Sequence, residues 1–565
     1  MATTGRNRVR AGLQLWGAKR FSGSLLWWAA ALAAITLVTR VPLRSTQLFA
    51  WDSANFALAL QHYNVAWHQP QPPGYILYVA AARLVHFVVA DANAAYVWLS
   101  VVASVGAVWC TVLVGGRLFG TATGVLGGLV LATSSLFWGQ GVVAYPYAFL
   151  ALFSPLIVLL ALRNRSGGRD TTLVSAALLA IAGGFRPELV PFLLPLWLWG
   201  AWRRPRWRWL AGLGLLAVLV AAWYVPMIWL SGGWQTYQSA SSGYFLFFLR
   251  ATSGFGKLLL AVLENTRTLV SYAYNGMGLA LLPLLYIAGR FFAPPRLVSD
   301  TRAQVLALWL APPLAFYLLI HIGNPGYLLS FLPALCLLTA HGALVLAQDT
   351  ALAVRLARRD GRGATAGEEL AITSAPFPSR QDESRGTGQP LPLREGVRGR
   401  YAASCLIVLI ALSNAALFLA ANGEGRLREI RAIDRILTKQ VAAIEAQFPP
   451  ASTLILAYDR SRQLRYYLPD HRIELLFTEA VAVAASGYDP SHYWERRSTL
   501  TVPPGITHIL FPDLDENTSE QPGPLQHLDL GDGVKMLVAE VSDGDTVRYG
   551  YRYVAVEPAA AGSSR

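Results

Sequence analysis

The residues of this chain that could do chemistry sit in four short stretches. The first is WDSANFALALQHYNVAWHQPQPPG, residues 51–74, which opens on Asp52. Phe56, Leu60, Tyr63 and Trp67 follow at helical spacing, which predicts an amphipathic helix over 53–67 lying along an apolar interface. A carboxyl held beside apolar surface loses hydration, which raises its pKa and suits a general base that takes a proton from a hydroxyl. The plainer reading is that Asp52 caps the helix, a task aspartate performs well. The stretch closes on His68-Gln69-Pro70-Gln71-Pro72-Pro73-Gly74, whose prolines restrict φ. That turn is either a hinge between two helices or a stiff loop on which His68, Gln69 and Gln71 line a polar ligand opposite Asp52.

The second stretch is Arg186-Pro187-Glu188, between two apolar runs. An ion pair within the hairpin, or an arginine reaching to lipid headgroups, accounts for it structurally. Functionally, Arg186 would bind a phosphate and Glu188 would add an acid at the same tip. The third, His321-Ile322-Gly323-Asn324-Pro325-Gly326-Tyr327, is a tight turn that either joins two helices or offers His321, Asn324 and Tyr327 to a ligand. The fourth is Tyr145-Pro146-Tyr147, at the end of an apolar run. It reads first as an aromatic belt and second as a place where Tyr145 touches substrate. No Walker loop, no Gly-x-Gly-x-x-Gly after a strand, no His-Glu-x-x-His and no Gly-x-Ser-x-Gly occurs. The three cysteines, Cys110, Cys336 and Cys405, lie inside apolar runs with no metal-ligand spacing.

The elements that must hold these residues are membrane helices. The composition is 54% hydrophobic and 14% charged, more apolar side chain than a soluble fold buries, in runs of membrane length. The net charge of +14 does not point to nucleic acid. The arginines sit in short links between apolar runs, where they act as topology signals and meet anionic headgroups. Arg6, Arg8, Arg10, Lys19 and Arg20 precede the first run, which is read as an uncleaved anchor with a cytoplasmic N-terminus (1–23). Asp52 then lies outside, in a first outer loop over 44–93. Residues 74–90 carry Arg83 and His86 and are read as a second interfacial helix rather than a span. Further spans follow at 94–115, 121–137 and 147–162. Residues 171–202 form two short spans with the Arg186 tip outside. Spans at 209–230, 269–287, 303–320, 327–345 and 401–421 complete the set, with an outer loop over 231–268.

The expected fold is thus an α-helical polytopic membrane protein of about eleven transmembrane helices, N-in and C-out, in the plasma (inner) membrane. Its transmembrane module covers 24–346. Residues 347–400 read as a disordered cytoplasmic insert, and 422–565 as a small extracytoplasmic α/β domain without polar constellations of its own. In that domain STLILAY, THILFP, KMLVAEV and YRYVAVE read as strands and 428–448 as a helix. Asn517-Thr518-Ser519 is a sequon on an exposed loop.

In this order the parts resemble the C-type membrane glycosyltransferases, and especially the bacterial protein O-mannosyltransferase and aminoarabinose-transferase relatives. The resemblance rests on a first span, an outer loop opening with an acid (WDSANFALAL), a proline turn with an interfacial helix (HQPQPPGYILYV) and a cytoplasmic GRLFG. GFRPELVPFLLPLWL and GNPGYLLSFLPALCLLTA look like later helices of that superfamily, so the likeness spans about 25–345. It implies a sugar moved from a polyprenyl-phosphate donor to a hydroxyl of a protein, lipid or glycan acceptor on the outer face. The family's essential first-loop acid maps to Asp52, as general base or as the group positioning the acceptor hydroxyl. The family turn, His-Pro-Pro or Lys-Pro-Pro, maps onto His68 and the prolines. Many relatives carry a second acid before the fourth span; here GQGVVAYPYAF has none, and Glu188 is the spatial substitute. No cofactor is implied with certainty, a divalent cation being the one the family admits. The rival readings are a flippase of lipid-linked sugars, which calls for paired midplane charges and inverted repeats, and a non-catalytic envelope scaffold.

Overall fold

The computed structural model describes residues 21–167, 169–252, 258–291, 300–360, 393–475, 497–514, 519–520, 524–550 and 553–559. The sequon's Asn517 and Thr518 and the middle of the insert, 361–392, lie outside them.

The chain opens with α1, Gly23–Arg40, capped by the Ser22 side chain. Two short helices follow, α2 over Trp51–Gln61 and α3 over Ile76–His86, before the long α4, Ala92–Leu118. The eleven residues of α3 reach only ~16 Å, too short to cross a bilayer, in keeping with an interfacial helix. Helix α4 forms the hub, packing against α1, α5 (Thr121–Thr133) and α7 (Tyr147–Arg165). It meets α5 glycine to glycine: a Cβ on Gly124 would lie 2.5 Å from the Val112 carbonyl oxygen, so the helices approach at backbone contact.

The expected span over 121–137 breaks at Ser134. The Ser134 Oγ caps α6, Ser135–Gln140, and donates to the Gly276 carbonyl at 2.8 Å. A hydroxyl with two backbone partners offers the chain an alternative to continuing the helix. Helices α8 (Thr172–Phe185) and α9 (Leu189–Ala201) form the expected hairpin with Arg186 at its tip. Helix α10, Arg206–Leu230, packs beside α8.

The outer loop expected over 231–268 is helical instead. Helix α11 spans Trp234–Thr252 and α12 spans Leu258–Met277. Helices α13 (Leu281–Phe291) and α14 (Thr301–Leu319) follow. Helices α15 (Leu332–Asp360) and α16 (Leu393–Ala420) run into both ends of the segment read as a disordered insert. Eight helical stretches are long and apolar enough to cross a membrane, among the described residues. Three of the expected spans correspond to the shorter apolar helices α5, α8 and α9. Trp27, Val38, Trp229, Leu282 and Leu285 are exposed on the bundle exterior, as lipid-facing side chains are.

Beyond α17 (Leu427–Gln447) the chain forms an α/β domain. Strands β1 (Thr453–Ala457), β2 (Arg472–Leu475), β4 (His508–Phe511), β6 (Leu525–Asp529) and β7 (Lys535–Glu540) make a mixed sheet in the order β2-β1-β4-β7-β6. Strands β3 (Arg497–Thr501), β5 (Ser519–Glu520), β8 (Thr546–Gly550) and β9 (Tyr553–Glu557) make a second sheet, β3-β8-β9-β5. A short helix, α18 over Ser461–Tyr467, follows β1.

Candidate active site

Helix α2 is shorter and more enclosed than its pattern predicts. It ends at Gln61, so Tyr63 and Trp67 are not on it, and Ser53 through Ala59 are all buried. Phe56, on the predicted apolar side, packs against Tyr75, Tyr78 and Tyr96 inside the bundle, and α18 of the C-terminal domain covers another side: Leu48, Ala54, Ala57 and Ala92 form one cluster, with Tyr466 and Tyr467 packed on it. A helix buried on all sides keeps no amphipathic stripe.

Asp52 sits in the first turn of α2 but does not cap it; Ala50 is the N-cap and makes no side-chain bond. The carboxyl is thereby free for other work. It is partly buried, and desolvation raises its pKa to about 6 against a counter-pull from Arg186. Arg186 itself is 3% exposed and reaches Glu188 through Nε at 2.8 Å and Nη2 at 2.5 Å, both on Oε1. Three tyrosine rings surround its guanidinium, with centroids at 5.2 Å (Tyr75), 4.5 Å (Tyr147) and 5.5 Å (Tyr327). Tyr145 packs edge-on against Tyr147 at 5.3 Å, and Tyr147 against Tyr327 at 5.6 Å. Gly326 makes that junction possible, since a Cβ there would lie 2.4 Å from the Tyr147 ring. Residues from α2, the proline turn, the α7 start, the α8–α9 tip and the 321–327 turn thus converge on one polar centre in an aromatic frame.

Comparison with solved structures identifies this architecture. The chain is similar to ArnT from Cupriavidus metallidurans bound to undecaprenyl phosphate, with 12% identity, TM-score 0.51, and 92% of this chain and 98% of that one covered. The chain shares the fold of that structure. Looser matches are the apo Archaeoglobus fulgidus oligosaccharyltransferase (11% identity, 86% and 69% covered, TM-score 0.48) and the mycobacterial arabinofuranosyltransferase AftD (11%, 93% and 40%, 0.43). No family model and no curated protein matches the sequence.

Within this fold the residues singled out from sequence divide into two groups. Asp52, Arg186, Glu188, Tyr145 and Tyr327 belong to the centre. Tyr145 and Tyr147 are buried there rather than standing in an aromatic belt. His321 lies beside Tyr327, ring centroids 6.1 Å apart, and burial lowers its pKa to about 4, leaving it neutral at pH 7.

The others do structural work or stand apart. Asn324 accepts from the Gly326 N–H at 2.8 Å and caps its own turn. Gln69 pairs with Asn64 through the backbone, 2.6 and 3.0 Å, fixing the start of the proline turn. Gln71 is 4% exposed, and its Oε1 has no hydrogen-bond partner among the described residues. His68 takes a left-handed conformation, φ 55°, next to Arg462 of α18, and burial with that neighbouring charge lowers its pKa to about 4.

The groups that sequence reading did not single out are Tyr75, Tyr317 and Arg462. Tyr317 stacks on Tyr327 at 5.4 Å and comes from inside α14, with no spacing to mark it. Arg462 comes from a domain read as chemically silent. Among the described residues, no group of three or more His, Cys, Asp or Glu side chains is placed to hold a metal ion. Glu424 and Glu429 form an acid pair beyond Tyr145, and burial with mutual repulsion raises the Glu424 pKa.

Proposed function

We propose that this chain is an inverting membrane glycosyltransferase that moves a sugar from a polyprenyl-phosphate donor to an acceptor hydroxyl. The observation that carries this reading is the Asp52 carboxyl: not engaged as a cap, partly buried, raised to about 6, and within the field of Arg186. Such a group is mostly ionised at pH 7 yet basic enough to accept a proton. The bound undecaprenyl phosphate of the similar ArnT structure supports a polyprenyl-phosphate donor.

In the proposed step the acceptor oxygen attacks the anomeric carbon from the face opposite the phosphate. The C–O bond to the sugar forms as the sugar–phosphate bond breaks. Asp52 takes the hydroxyl proton, and polyprenyl phosphate leaves with the bonding pair. Arg186 is committed to Glu188, so its part is to keep Asp52 ionised rather than to supply a free phosphate clamp. Tyr145, Tyr147 and Tyr327 shape the apolar wall, and exclusion of water there strengthens every charge interaction inside.

The deciding experiment incubates purified protein with a panel of polyprenyl-phosphate sugars and hydroxyl acceptors and scores released polyprenyl phosphate. Release by the wild-type chain and its loss in Asp52→Asn is the expected result. Transfer by Asp52→Asn near the wild-type rate would overturn the assignment.

A further inference from the structure

The C-terminal domain is bolted to the segment that leads into Asp52. The Asp434 Oδ1 accepts the backbone N–H groups of Thr46 at 3.0 Å and Gln47 at 2.9 Å. The Tyr467 hydroxyl accepts the Leu48 N–H at 2.9 Å, and Gln47 Nε2 donates to the Thr438 hydroxyl at 3.0 Å. Arg431 donates to the Arg44 carbonyl at 3.2 Å and the Pro42 carbonyl at 3.1 Å. Segment 42–48 has no partner strand of its own, so these bonds satisfy backbone groups that would otherwise be stranded at a domain junction. The attachment fixes α18 against α2.

That attachment delivers one cation. The Arg462 guanidinium lies over the ring of Trp51, 5.4 Å from its centroid, directly before Asp52 in the chain. Trp51 is itself held: with the Asn55 amide turned to satisfy both neighbours, Asn55 accepts from Trp51 Nε1 at 3.2 Å and donates to the His68 carbonyl at 3.1 Å. Arg462 therefore stands on a fixed platform at the Asp52 end of α2, beside His68. Among the described residues no carboxylate forms an ion pair with it, in contrast to Arg186, Arg431 and Arg460. Burial, with like charge from Arg465, holds its pKa down to about 10, so it is charged at pH 7 and short of an anion. A half-buried, oriented guanidinium with no carboxylate partner among the described residues suits a phosphate by its chemistry: its planar fork matches phosphate oxygens two at a time.

We infer that Arg462 of the C-terminal domain binds the phosphate of the lipid-linked donor, making that domain part of the active site. The inference rests on the glycosyltransferase reading above. In an inverting step the phosphate leaves from the face opposite the attacking oxygen, and Arg462, at the Trp51 end of α2 and not among the charges that set the Asp52 pKa, is the cation assigned to meet it there.

The test measures binding of a polyprenyl phosphate, with the matching polyprenol as the uncharged control, to full-length protein in detergent. Arg462→Gln should weaken phosphate binding by about tenfold to hundredfold, leave polyprenol binding unchanged, and flatten the salt dependence. Arg462→Lys keeps the charge but not the fork and should recover only part of the loss. Arg472→Gln, an exposed arginine elsewhere in the domain, should behave as wild type. An unchanged thermal transition in Arg462→Gln keeps a folding defect apart from a binding one. Equal phosphate binding by Arg462→Gln and wild type overturns the inference. So does a rise in acceptor KM with donor KM unchanged, which would assign the anion to the acceptor. A wild-type chain that neither binds the polyprenyl phosphate nor transfers sugar overturns the glycosyltransferase reading itself.

Discussion

Arg186 and Arg462 stand in opposite states: Arg186 acts on the Asp52 carboxyl, and Arg462 lies over Trp51, the residue before it. Arg186 is 3% exposed, paired to Glu188 and ringed by three tyrosines. Arg462 is half-buried, stacked on one tryptophan and paired with no carboxylate among the described residues. A buried pair offsets the desolvation of both ions through mutual attraction, and breaking it leaves an uncompensated charge. An unpaired cation at a rim keeps its capacity for an incoming anion. One side of the centre is therefore built to be rigid and electrically satisfied, and the other to receive charge. The first side comes from the transmembrane module and the second from the C-terminal domain.

Substitutions at three places break or sharpen that contrast. The largest effect is expected at Asp52, the acid in the field of Arg186. Asp52→Asn should lower transfer by about 10²–10⁴-fold, the usual worth of a positioned base. It should also stabilise the protein. The folded-state pKa is raised from 3.8 to about 6, so the native state binds more protons than the unfolded chain in that window. Stability from this group is present at low pH and is lost as pH rises through about 6. The charged carboxyl thus costs stability at pH 7, and Asn removes that cost, of order 1–2 kcal/mol. Thermal unfolding at pH 7 and at pH 5 checks both sign and window: the gap between variant and wild type should narrow at pH 5.

Next is the satisfied side. Glu188→Gln strands Arg186 among tyrosine rings and should destabilise the fold by about 3–5 kcal/mol. The double change Arg186→Met with Glu188→Gln should recover much of that loss, because it removes both charges from the enclosed tip. Denaturation of the detergent-solubilised protein measures it. A Glu188→Gln variant as stable as wild type would mean that the pair carries no weight, and the contrast with Arg462 would fail.

How much of this was legible in the sequence follows from the same contrast. The order of helices, the α8–α9 hairpin with Arg186 at its tip, the short α3 and all four proposed strands could be read, because each rests on local periodicity and turn chemistry. Asp52 could be singled out because an isolated acid next to apolar sequence is conspicuous. The enclosed character of α2 could not be read, since α18, which covers it, lies some four hundred residues downstream. Tyr75, Tyr317 and Arg462 escaped for that reason too: each is an ordinary residue of its own element and acquires meaning only where elements meet.

The smallest expected effect probes the joint that holds the receptive side in place. Tyr467→Phe removes one hydroxyl and leaves its ring on the Ala54–Ala57 face of α2. The Leu48 N–H then lacks its partner, worth about 1 kcal/mol, or about fivefold in an equilibrium between docked and loosened arrangements. If docking only glued two domains together, the variant would melt slightly earlier and transfer sugar with unchanged constants. If docking sets Asp52 in its partly buried place, loosening admits water, the carboxyl pKa falls from about 6 toward the ordinary range, and the acid limb of the kcat–pH profile moves to lower pH. Asp434→Ala, which frees two N–H groups at once, should shift that limb further in the same direction, with Asp434→Asn in between because it keeps an acceptor oxygen. A lowered melting temperature with a fixed acid limb in all three variants would reduce the joint to an adhesive.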